Sequence, residues 1–146
     1  MTNNTKDNQV AKHVQSLLVQ DSASRLLGIS IEKIVLGECQ LSMTVTKTMT
    51  NGYDLCHGGF IFTLADTALA FSCASYGQAT VTANAQIEFI SPARLNDQLT
   101  ATAKVSLQKD RHIYCDIKIV NQENTAIALC RGHQLSIKQS HLVETI

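Results

Sequence analysis

Residues 56–76 read CHGGFIFTLADTALAFSCASY, an apolar run with a single formal charge, Asp66. The run opens on paired glycines, Gly58 and Gly59, and continues with residues that are apolar or small nearly all round. A helix of that composition is one that gets buried. The spacing predicts a central helix over about 57–76. A membrane span is not expected, because the run is short, rich in Ala and Ser, and broken at its middle by an acid.

Outward from this run the apolar period changes to two. Leu41, Met43 and Val45 alternate with Ser42, Thr44 and Thr46. Val81, Ala83, Ala85, Ile87 and Phe89 alternate with mostly polar neighbours. Leu99 to Leu107 and Ile113 to Ile119 repeat the pattern, and a last strand is expected from about Thr125 to Ile137. Strands with one apolar face predict an antiparallel sheet covered on one side. The central helix is the obvious cover. The fold class expected is therefore α+β: a curved antiparallel sheet wrapped around one helix. Residues 1–28 read as an N-terminal helical segment, with Val10, Val14, Leu17 and Leu18 at helical spacing. Asp21 is placed to cap a second short turn, and Gly28 to end it.

The chain has 146 residues, of which 45% are apolar and 16% charged. That is the size and composition of one globular domain, residues 1–146, rather than of a disordered chain. Twelve basic residues balance twelve acidic ones, so the basic excess of a nucleic-acid binder is missing. The five cysteines, Cys39, Cys56, Cys73, Cys115 and Cys130, are odd in number and have neither zinc-motif nor disulfide-framework spacing. The polar opening MTNNTKDNQV is not expected to be a secretory signal. Free thiols without a signal point to a cytoplasmic protein. His13, His112, His133 and His141 share no spacing with carboxylates, so no metal site is expected.

Asp66 is the anomaly of the central helix. Phe62, Thr63, Leu69 and Ala70 occupy the positions where a helical ion-pair partner would stand, and none is basic. Desolvation at such a place favours the protonated acid, which suits a base or nucleophile working near neutral pH. A structural aspartate hydrogen-bonded across an interface is the other reading. The glycines at the helix start admit a ligand to free backbone N–H groups, the makings of an oxyanion hole. A tight turn into a crowded helix would use the same residues. Gly58 and Asp66 are eight positions apart, or roughly 12 Å along a helix. They cannot touch one reacting carbon from the same chain. A shared site needs two chains, with each Asp66 facing the Gly58 end of its partner.

Asn51-Gly52, then Cys56-His57-Gly58-Gly59, then Leu64-Ala65-Asp66-Thr67-Ala68 together resemble the hotdog-fold acyl-CoA thioesterases. The resemblance is nearest to the phenylacetic acid degradation type, which hydrolyses phenylacetyl-CoA and its hydroxylated relatives. It implies that Asp66 is the catalytic carboxylate, as general base or as nucleophile. Gly58 becomes the backbone donor that polarises the thioester carbonyl, and Asn51 and His57 hold the carbonyl end and the loop. Gly59 and Thr67, which complete the motif runs, are expected at the substrate. Thr82 matches a position that orients water, and Arg94 and Arg111 match basic residues near the CoA phosphates. Both arginines read equally well as solvated loop charges. The resemblance also implies a homodimer with shared sites, often a tetramer, and no cofactor beyond the CoA of the substrate. A hydratase or dehydratase on the same fold and a non-catalytic acyl-CoA-binding module remain the alternatives.

Overall fold

The computed structural model describes residues 3–138. His141 lies outside them. Helix α1 spans Asn3–Gln20 and α2 spans Ser22–Leu26. The Asp21 carboxylate accepts from the Ser24 N–H at 3.0 Å and so caps α2. Gly28, at φ +67°, takes the left-handed conformation that ends it. The strands are β1 (Ser30–Val35), β2 (Glu38–Thr44), β3 (Ala79–Phe89), β4 (Gln98–Lys109), β5 (His112–Val120) and β6 (Ala126–Ile137). They form one sheet in the order β1-β2-β4-β5-β6-β3, and every pair is antiparallel.

The long helix α3, Gly58–Ala74, packs against β2 through β6. Rows of inward side chains run across the sheet beneath it. Leu41, Ala101, Ile119 and Ala128 are consecutive partners in one row, and Cys39, Ala103, Ile117 and Cys130 in the next. All eight are buried. The small residues of these rows let the helix come close, and Gly132 shows how close. A Cβ there would fall 2.2 Å from Leu69 Cδ2, and Leu69 is fully buried with nowhere to move. Gly132→Ala is expected to cost about 1–3 kcal/mol of stability, read as a lower urea midpoint with an unchanged slope.

Three features differ from the sequence reading. Strand β1 was not located, because a bulge between Ile31 and Lys33 breaks its phase: Ile31 and Ile34, three positions apart, both pack against the core, and SIEKIV shows no alternation. The alternation predicted along Val81–Phe89 is broken by a β-bulge between Thr82 and Asn84. The extra residue, Ala83, flips the phase, so Thr82, Ala85, Ile87 and Phe89 share the helix face while Val81 lies on the other. Finally, α3 is not enclosed all round. Gly59 is exposed, and Thr63, Asp66 and Ala70 are only half-buried. That spacing makes them one open stripe along the helix.

Candidate active site

The loop before α3 is stitched to the body by its backbone. Cys56 N–H donates to Ala93 O at 2.8 Å, and His57 N–H donates to Met49 O at 2.8 Å. Asn51 holds the loop in a turn: its Oδ1 accepts from the Tyr53 and Leu55 amides at 2.9 and 3.2 Å. His57 caps α3, its Nδ1 accepting from the Gly59 N–H at 3.1 Å. A ring nitrogen that accepts carries no proton, so the ring N–H sits on Nε2. The Gly59 amide is thereby used, whereas no described residue accepts from Gly58 N–H. Gly58 is the free donor at the positive end of a long helix. It opens on a cleft of about 370 Å³ shared with Asn51, Cys56, Phe89 and Pro92.

Asp66 stands two turns further along α3. Its Oδ1 accepts from Thr82 Oγ1 at 2.8 Å, and Thr82 Oγ1 accepts from Gln134 Nε2 at 2.6 Å. The bulge in β3 is what aims Thr82 at the helix. One turn beyond Asp66 a cavity of about 560 Å³ opens between α1, α3 and the start of β3, lined by Leu17, Ala70, Phe71, Ala74 and Thr80.

The structure therefore gathers the expected residues into two groups. Asn51, His57 and Gly58 form one, and Asp66 and Thr82 the other. Continuous helix separates Gly58 from Asp66 by roughly 12 Å. Arg94 lies beside the first group, bridged to Leu55 through the backbone. Arg111 lies on the turn between β4 and β5, its Nε donating to Ser136 O at 3.2 Å. Thr67 is buried, its hydroxyl bonded to Thr63 O at 2.8 Å and 3.2 Å from Ser24 Oγ. It braces α3 against α2. Gln134 was missed by the sequence reading, since a glutamine in a strand looks like any outward polar residue. His112 and His133, unrelated in sequence, meet at 2.8 Å across β5 and β6. Their rings stack, and Tyr114 stacks on His133 in turn, away from both groups.

Cys56 and His57 form no nucleophilic dyad, because the histidine ring bonds to the Gly59 amide instead. Burial, and then the Asp97 charge, push the Cys56 thiol up to about 11. Burial also raises Cys73 to about 12 and Cys115 to about 11, and drives Cys39 higher still. Cys130 rises to about 11 through burial and the nearby Asp66 charge. The thiolate is the reactive form, and at pH 8 every one of these groups holds its proton. A disulfide-exchange reagent at pH 8 is expected to label none of the five free cysteines in the native protein and all of them in guanidinium.

Residues 53–128 match the family model of the thioesterase superfamily, and the chain belongs to that superfamily. Its fold is the hotdog fold, an α+β architecture of one antiparallel sheet around a long helix. Over 121 residues it is 41% identical to the acyl-coenzyme A thioesterase PaaI of Escherichia coli, covering 83% of this chain and 86% of that one. The solved E. coli PaaI protein, from the phenylacetic acid degradation operon, superposes with a TM-score of 0.89 at 39% identity over 90% of this chain and 96% of its own. A Streptococcus pneumoniae thioesterase protein solved with coenzyme A gives a TM-score of 0.73 at 27% identity, over 76% of this chain and 87% of its own. No helix among the described residues is long and apolar enough to cross a membrane.

Proposed function

We propose that the protein hydrolyses acyl-CoA thioesters, aryl-acetyl thioesters first among them, at sites shared between two copies of the chain. One observation carries this reading. A free helix N-terminus at Gly58 and an oriented carboxylate at Asp66 lie on the same helix, yet too far apart to serve one carbon. Antiparallel pairing of two α3 helices along the open stripe brings each Asp66 to the other chain's Gly58. Strand β3 supports the same pairing. It is an edge strand of 11 residues with Val81 and Phe89 exposed, and a long unpaired edge of that kind invites another strand. Two such dimers in a tetramer complete the proposed assembly.

In the reaction Asp66 takes a proton from water as the water oxygen attacks the thioester carbonyl. The Gly58 N–H receives the developing oxyanion. Collapse breaks the C–S bond, and the proton returns to the CoA sulfur, leaving free acid and CoA. Direct attack by the carboxylate, through an anhydride that water then opens, uses the same groups. Asn51 and His57 hold the loop that presents Gly58, with Gly59 as part of the cap. Thr82 orients the carboxylate. Arg94 and Arg111 are assigned to the CoA phosphates. CoA arrives as part of the substrate, and this chemistry asks for no further cofactor. Five free, buried thiols suit a reducing cytoplasm.

The cavity one turn beyond Asp66 is where an aryl ring attached through one methylene would reach. Ala70 is its nearest wall on the helix. Ala70→Leu is expected to raise KM for phenylacetyl-CoA about tenfold, the scale of a few displaced methylenes, and to leave acetyl-CoA nearly unaffected. The reading is tested by thiol release from phenylacetyl-, hydroxyphenylacetyl-, benzoyl-, crotonyl- and medium-chain acyl-CoA. Fastest release is expected on the aryl-acetyl members. Loss of the crotonyl double bond without thiol release would make the protein a hydratase instead.

A further inference from the structure

We infer that Gln134 is a positioning residue for this reaction: it locks Thr82, and through it the Asp66 carboxylate, in a single orientation. The inference rests on the thioesterase reading and adds a residue to it. The direction of the chain follows from donor chemistry. An ionised carboxylate only accepts, so Thr82 Oγ1 gives its one proton to Asp66 Oδ1 at 2.8 Å. The same hydroxyl oxygen can then only accept from its other neighbour, and Gln134 Nε2 stands 2.6 Å away. The glutamine amide is thereby fixed. Turned over, it would set an oxygen against a hydroxyl whose proton is already given away.

Gln134 is held at a cost to the fold. It is 1% exposed, and its Oε1 is buried with no donor among the described residues. A buried acceptor without a partner destabilises, and an apolar side chain of the same shape would remove the defect. Stability does not explain this residue; orientation of the carboxylate does. The bulge at Ala83 serves the same end, since without it Thr82 would face away from α3. With Oδ1 bound to Thr82, Oδ2 is the oxygen left for water on the open stripe. Cys130, on β6, also feels the Asp66 charge, but it holds its proton and does not compete.

The test measures kcat, KM and the pH profile of kcat for Gln134→Met, Gln134→Glu and Thr82→Val, beside Asp66→Asn. Gln134→Met keeps the volume and removes the donor. Its kcat is expected to fall about tenfold with KM within about twofold, as for an interaction made only in the transition state, while its melting temperature does not fall. Gln134→Glu places a second carboxylate behind Thr82. Like charge favours the protonated acid, so the acidic limb of the kcat profile should move up by about one unit, which a packing role would not produce. Thr82→Val cuts the chain at an exposed position and decides the matter if a Gln134 variant does not fold. Combining it with Gln134→Met should lower kcat no further than Thr82→Val alone. Full kcat in Gln134→Met with an unmoved acidic limb in Gln134→Glu, or additive losses in the double variant, would overturn the inference. Normal Gln134 variants beside an inactive Asp66→Asn would remove the positioning chain alone. An active Asp66→Asn would remove the catalytic reading with it.

Discussion

Asp66→Asn is expected to lower kcat on phenylacetyl-CoA by about a thousandfold, within the range for loss of a general base, with KM changed by less than about threefold. The amide has the same shape and can still accept from Thr82, so the side chain should stay where it is. It cannot take a proton from water, and it is a poor nucleophile. Base and anhydride routes are therefore lost together. Folding should be untouched, because Asp66 is only half-buried and its hydrogen bond survives in the amide. Steady-state thiol release with a matched melting curve checks this. Turnover within a few-fold of wild type would take Asp66 out of the mechanism.

The second large effect is a gain. Asp66→Ala and Gly58→Val homodimers should each be inactive, and mixing them should restore activity. A valine at Gly58 puts bulk where Phe89 Cζ already lies 2.9 Å from a Cβ. It fills the approach to the free amide, while the exposed Phe89 ring can swing aside. In a mixed dimer with shared sites, one site collects both lesions and the other collects none. Random exchange makes half of the dimers mixed, each with one of two sites intact, so about a quarter of wild-type activity should return. If each chain held a complete site, every site would carry a lesion and mixing would restore nothing.

The two lesions can be chosen because their positions are legible in the sequence. A lone acid in an apolar helix marks itself, and paired glycines before such a helix mark a free N-terminus. The spacing between them already calls for two chains, and the structure keeps both on one uninterrupted helix. Asn51 and His57 are legible only as parts of a motif; their hydrogen bonds show that they shape the loop. Other features stayed hidden for physical reasons. Strand β1 carries a bulge between Ile31 and Lys33, so its core-packed Ile31 and Ile34 fall out of the period-two pattern. The bulge at Ala83 shifts the phase of β3 without any Gly or Pro to announce it. Gln134 sits at a helix-facing position where an apolar residue is expected, and only coordinates separate it from its outward neighbours. Thr67 adjoins Asp66 in sequence, but consecutive helical residues point about 100° apart, so it packs against α2 while Asp66 faces the open stripe.

Turnover, as against mere binding, is what a thioesterase must show. Purified protein is incubated with an excess of phenylacetyl-CoA at neutral pH, and free CoA and phenylacetate are quantified by mass spectrometry against time. Many equivalents of both products per chain are expected, formed in equal amounts and in step. Intact phenylacetyl-CoA recovered after tight, saturable binding would contradict that expectation and make the protein an acyl-CoA-binding module.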